Sequence, residues 1–212
     1  GWSIAALDAV TARETAPFEQ SVASFDPATQ DTLTTVSRGR APVEPLANYA
    51  VARVRRDLNG GRSVVGALVT DASRDLADAV FRPTLRSHAV TGGVDFDHTW
   101  GNRVWSLSGF LAGSRVAGDS LAIARTQNSF VRYYQRPDAR YLGVDSSRTS
   151  LAGYSGALAL TKVGGEHWTG SLAYQETSPG FELNDLGFQQ SADRRALSTF
   201  VRVCDKPWNW PA

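Results

Sequence analysis

With 22 basic and 21 acidic residues among 212, the chain has a net charge of +1, which excludes the strong positive field of a nucleic-acid binder. Mean hydropathy is −0.25 and no apolar run approaches the roughly 18 residues that a membrane helix needs. A helical membrane protein is excluded, whereas a transmembrane barrel, apolar on one strand face only, is not.

Strand-like sequence starts at once, with Trp2, Ile4 and Ala6 alternating. The chain has no methionine and no charged segment followed by an apolar one, so we expect a fragment whose export signal lies upstream. Residues Pro17 to Pro45, rich in Ser, Thr, Asp and Pro, read as loop. Ala50, Ala52 and Val54 then alternate with Arg53 and Arg55, and the turn Asn59-Gly60-Gly61-Arg62 leads to Val65, Ala67 and Val69 on one face of Ser63 to Thr70. Leu76, Ala77, Val80 and Phe81 have helical spacing over Ser73 to Phe81, with Pro83 as a stop.

The clearest strand is His88 to Trp100, where Val90, Val94, Phe96 and Trp100 oppose Thr91, Asp95, Asp97 and Thr99. After Gly101-Asn102-Arg103, Trp105, Leu107 and Leu111 oppose Ser106, Ser108 and Ser114. Asp119 is placed to cap a helix running to Gln135, before Pro137. Tyr154, Leu158 and Leu160 oppose Gly153, Ser155 and Thr161, and past Gly164-Gly165-Glu166, Trp168, Leu172 and Tyr174 oppose Thr169, Ser171 and Gln175. Leu197, Val201 and Val203 end the pattern, while 204–212, with the lone Cys204, lose alternation and form an irregular or truncated tail.

Short and long connections therefore alternate along roughly eight strands. The expected fold is all-β: an antiparallel up-and-down transmembrane β-barrel over residues 1–203, a fragment of a larger barrel, with short helices in long extracellular loops. Placing Gly1 on the short-turn side puts Trp2, Trp100, Trp105 and Trp168 at one level, with Trp208 and Trp210 following on the same side, as an interfacial belt requires.

Chemistry is sparse. Gly153-Tyr154-Ser155-Gly156-Ala157 lacks the second glycine spacing and the strand-to-helix turn of a nucleophile elbow. His98 falls on the opposite strand face from Asp95 and Asp97, and His88 and His167 have no spaced partners, so no metal site and no cofactor are expected. Arg53, Arg55, Asp95 and Asp97 are candidate lumen charges. Phe130, Tyr133, Tyr134 and Tyr141, beside Arg132, Arg136 and Asp138, are the candidate glycan-contact loop.

Three strings carry a family resemblance: Glu44-Pro45-Leu46-Ala47-Asn48-Tyr49 leading to Arg53-Val54-Arg55-Arg56-Asp57-Leu58-Asn59-Gly60-Gly61-Arg62-Ser63; Tyr134-Gln135-Arg136-Pro137-Asp138-Ala139; and Ser178-Pro179-Gly180-Phe181-Glu182-Leu183-Asn184-Asp185-Leu186-Gly187-Phe188. In that order they resemble an uncharacterised bacterial outer-membrane β-barrel domain found after a carbohydrate-binding family nine-like domain in large exported proteins. The resemblance implies an outer-membrane location, the lipid bilayer and saccharides as partners, and a sugar-binding-like domain upstream, and it supplies no catalytic residue; the balanced charge leaves no nucleic acid among the expected partners. The resulting expectation is a non-enzymatic segment for anchoring or uptake of extracellular material. A soluble β-sandwich, either a carbohydrate-binding module or a glycan-active hydrolase using Asp95 and Asp97, is the alternative; it would bury Val94, Phe96, Leu107, Leu158 and Leu172 between sheets.

Overall fold

The computed structural model describes residues 1–203. Its strands are β1 (Trp2–Thr11), β2 (Glu14–Asp26), β3 (Asp31–Glu44), β4 (Ala47–Leu58), β5 (Ser63–Arg74), β6 (Arg86–Trp100), β7 (Trp105–Gly118), β8 (Ser150–Lys162), β9 (Trp168–Thr177) and β10 (Arg194–Val203), with one α-helix, α1 (Ser120–Asn128). All pairing is antiparallel. Eight strands form one sheet in the order β1-β4-β5-β6-β7-β8-β9-β10, and β2 and β3 form a separate hairpin. The all-β expectation holds. Closure into a barrel is not seen among the described residues: β1 and β10 are the two edges of the sheet.

Tight turns set the register. Four residues, 59–62, connect β4 to β5, and Asn59, Gly60 and Gly61 among them have φ of 54°, 66° and 77°, the left-handed region that glycine enters without strain. Pairing then runs without a slip from Ala47 opposite Arg74 to Leu58 opposite Ser63. Because side chains alternate, one sheet face carries the row Tyr49, Ala72, Ala89, Val116 and Leu151, residues directly opposite one another in β4 to β8. Ile123 of α1 and Tyr134 pack on that row and complete the hydrophobic core, with Leu142 against it. The core thus sits at the long-connection end of one face, which we call the inner face.

Several expectations change. Pro17 to Pro45 is not a loop: most of it pairs as the β2–β3 hairpin, from Thr15 opposite Pro42 to Asp26 opposite Asp31. Its Ser and Thr content mimics loop composition, yet Thr is β-branched and suits a strand. The Asp26 carboxylate accepts from the Ala28 N–H at 2.8 Å, fixing the turn. Ser73 to Phe81 forms no helix, since β5 runs on through Arg74 and the following residues are turns. Asp119 does cap α1, accepting from the Leu121 N–H at 2.9 Å, but the helix ends at Asn128 and not at Gln135. Ser129 is extended there, and both its backbone N–H, at 3.3 Å, and its hydroxyl, at 2.9 Å, donate to the Thr126 carbonyl at the helix end. Among the described residues there are ten strands, eight of them in the large sheet. The expected tail at 204–212, with Trp208 and Trp210, lies outside the described residues.

The opposite, outer face is uncovered. Val94 is 58 % exposed, Leu158 49 % and Leu172 50 %, so the second sheet that a sandwich would lay over them is not present among the described residues. Total accessible surface is 14099 Å², against roughly 9,600 Å² expected for a soluble monomer of this mass.

Connection 178–193 is seated through two glycines. A Cβ on Gly153 would collide with the backbone of Gly180 and Phe181, and one on Gly180 with the Ala152 carbonyl. We expect Gly153→Ala to lift residues 178–186 off β8 while leaving the strand ladder intact; hydrogen exchange should show faster exchange at Phe181 and Glu182 and unchanged protection in β5 to β7.

Candidate functional site

On the outer face, β7 presents Trp105, Leu107, Gly109, Leu111 and Gly113 before the first charge, Arg115. The ten steps from Trp105 to Arg115 span about 33 Å along the strand. Other strands repeat the alternation over shorter runs, from Trp2 to Asp8 in β1, Ser63 to Asp71 in β5 and Trp168 to Glu176 in β9. Asp8, Asp71, Arg115, Glu176 and Arg195 bound the face at the long-connection end, and Arg56 and Lys162 at the short-turn end. Between those limits the outer face of the eight strands carries no Asp, Glu, Lys or Arg.

The short-turn limit is aromatic. His98 and Trp100 stack at 5.7 Å, Trp100 and Trp105 at 6.1 Å, and Trp168 meets Trp105 edge-on at 5.8 Å. Lys162 Nζ lies 3.8 Å from the Trp168 ring and the Arg56 guanidinium 4.9 Å from Trp2, so cations mark the polar side of this aromatic row. At the other limit the Tyr154 and Tyr174 hydroxyls donate to Glu176 at 2.8 and 2.7 Å, and Arg195 joins the same carboxylate at 3.0 Å.

The four expected lumen charges share the inner face. Arg53 and Asp95 form a two-pronged pair at 2.5 and 2.8 Å across Gly66, whose missing side chain leaves room for it. Arg55 instead lies 3.7 Å from Asp57, and Asp97 accepts from the Ser106 hydroxyl at 3.3 Å, so the four are not one cluster. Asp95 is engaged by an arginine and is not aligned with Asp97 as an acid–base pair. The Ser155 hydroxyl is shared with Thr177 at 2.8 Å inside the strand pair, which gives it no activating base. No group of three or more His, Cys, Asp or Glu among the described residues could hold a metal ion.

The expected glycan loop divides. Tyr134 is a core residue at 5 % exposure and cannot offer a stacking face, which corrects the expectation for it; Phe130 at 88 %, Tyr133 and Tyr141 are exposed. Tyr141 borders a cleft of about 500 Å³ with Tyr154, Glu176, Asp193, Arg194 and Arg195. Asp193 accepts from both Arg136 and the Tyr141 hydroxyl. That bond, and after it partial desolvation, raises the Tyr141 phenol above the ordinary tyrosine range.

Sequence reasoning passed over the strongest electrostatic feature, a buried ladder at the long-connection end of the inner face. Arg132 reaches Glu182 at 2.6 Å and the Phe181 carbonyl. Arg86 lies 3.5 Å from Glu182 and 2.9 Å from Asp185, and Arg74 is 2.7 Å from Asp185. Burial lowers the Arg132 guanidinium from its usual value, and Glu182 opposes that shift. Further ties are the Glu182 N–H to the Ser114 hydroxyl at 2.8 Å, the Ala192 N–H to the Val131 carbonyl at 2.9 Å, and a reciprocal pair between the Gln127 side chain and the Asp145 backbone at 2.9 and 2.8 Å. Together they hold 119–149 and 178–193 to the inner face.

Comparison with protein-family models, with curated proteins and with solved structures finds no match to this chain.

We expect Glu182→Gln to loosen the long-connection end of the inner face by about 3–5 kcal/mol, because Arg132 is left buried without its counter-charge. Limited proteolysis should then cut within 119–149 and 178–193, whereas Asp138→Asn, at a side chain 83 % exposed, should not change the pattern. Because the Tyr141 value is raised, its bond to Asp193 contributes fully below the ordinary tyrosine pKa and is lost as pH rises through the raised one. Alkaline titration followed by phenolate absorbance should find a late tyrosine that moves earlier in Asp193→Asn.

Proposed function

We propose that this chain is part of the wall of an outer-membrane β-barrel, a non-enzymatic segment that anchors or admits extracellular material, saccharides foremost. The observation that carries the reading is the outer face: an apolar band free of Asp, Glu, Lys and Arg, from about 20 Å along β1 to about 33 Å along β7, with tryptophans and cations at one limit and tyrosines and carboxylates at the other. In water such a face would be an aggregation surface far larger than soluble monomers expose. In a bilayer it is the lipid contact, and the opposite face, with Ser108, Ala112, Ser155, Ala157 and the Arg53–Asp95 pair, faces a polar interior.

Orientation follows from the connections. Short turns at 59–62, 101–104 and 163–167 belong on the periplasmic side, and the long connections outside. The saccharide element is supported by the cleft beside Tyr141, where an aromatic face, two carboxylates and two guanidinium groups converge as sugar hydroxyls require. The three sequence strings quoted above are the sole ground for an upstream sugar-binding-like domain.

Four measurements test this. The folded protein should fractionate with outer membranes and migrate differently on gels before and after boiling; a soluble product with one mobility would overturn the reading. Spin labels at Val94, Leu111, Leu158 and Leu172 should be accessible to lipid-dissolved oxygen and shielded from water-soluble quenchers. Affinity for soluble oligosaccharides should fall roughly tenfold, ~1.4 kcal/mol, in Tyr141→Ala and stay unchanged in Phe130→Ala.

A further inference from the structure

The bulk lying on the inner face says how large the barrel must be, given the barrel reading above. Eight strands at the usual spacing and tilt close to a backbone diameter of about 16 Å, which leaves room for side chains alone. Here the long-connection end of the inner face holds α1 through Ile123, the stretch from Val131 to Leu142, and the 181–186 backbone under Glu182. A helix alone is about 10 Å across and needs its axis 8–10 Å from whatever it packs on. This bulk cannot share a 16 Å circle with the strands that face it.

The sheet edges agree. β1 and β10 are each ten residues long, with no proline, no lysine and no bulge in their pairing; the charges they carry, Asp8 on β1 and Arg194, Arg195 and Arg202 on β10, sit near strand ends and leave the middle of each edge open to a further strand. β1 runs from the short-turn end to the long-connection end and β10 runs back, so only an even number of strands can be inserted between them with antiparallel pairing throughout. Four inserted strands would widen the circle to about 24 Å.

We propose that β1 and β10 each bind a further amphipathic strand, apolar outward and small or polar inward, and that an even number of such strands completes a barrel of twelve or more around the in-folded segments 119–149 and 178–193. The strand beside β10 runs toward the long-connection end and the one beside β1 runs toward the short-turn end.

The test uses the full-length protein folded in lipid, with spin labels at the outward positions Ile4 and Val201. Completion by inserted strands gives a label separation of about 20 Å or more, together with slow hydrogen exchange along both β1 and β10. A separation near 10 Å would mean that the two edges pair with each other and would overturn the proposal. So would a long separation with fast exchange at every second edge amide, the signature of open edges. The barrel reading stands or falls separately, on oxygen accessibility at Leu111 and Leu158 in the same samples: if those sites face lipid while Ile4 and Val201 are adjacent, only the strand number is wrong.

Discussion

Side chains on a strand alternate with a period of two, so a slip of one residue anywhere in the sheet would carry that strand's whole apolar set to the other face. Everything else in this molecule depends on that not happening across seven successive pairings. Left-handed turn residues at Asn59 to Gly61 and Gly101 to Arg103 fix the register locally, and the core row from Tyr49 to Leu151 fixes it across five strands. Register makes the outer face continuous and apolar, and no other element among the described residues covers it.

The inner face answers to a different physics. Its upper end is closed by a small apolar core and by charges taken almost fully out of water, Arg132 and Glu182 above all. A pair so placed adds little net stability over an apolar substitute, but losing either member is costly. Its effect is therefore on geometry: Glu182 accepts from Arg132 and lies near Arg86, and neighbouring Asp185 ties to Arg86 and Arg74, so one short segment is indexed against two strands and another connection. Ordinary hydrophobic packing, with one alanine or valine per strand, could not specify that position so narrowly.

Strands with strong alternation, β6 and β7 above all, were legible from the sequence because burial on one face alone dictates period two. The β2–β3 hairpin was not, because neither of its faces is buried and Ser and Thr serve strands and loops alike. The helix after Asp119 was visible from its cap, while its end was set by the Ser129 side chain bonding back to Thr126, a contact with no periodic signature. For the site, Arg53 and Asp95 were found because they share a face two strands apart; Arg132 and Glu182 were missed because fifty residues separate them and only the fold joins the two connections. Tyr134 failed as a contact residue for a related reason: an aromatic among polar neighbours looks exposed until the surface beneath it is known.

The free-standing hairpin has a kinetic side. Every strand of the large sheet pairs with its predecessor in sequence except β4, which must find β1 across residues 12–46. Folded into β2 and β3, that stretch brings its own ends together, since Glu14 pairs with Glu44. The effective loop shrinks to a few residues, and the entropy of closing it falls by about 2 kcal/mol. Once the hairpin exists, β1 and β4 meet as though adjacent in the chain, and the sheet can grow by nearest-neighbour additions, the low-contact-order route by which β-proteins avoid slow folding.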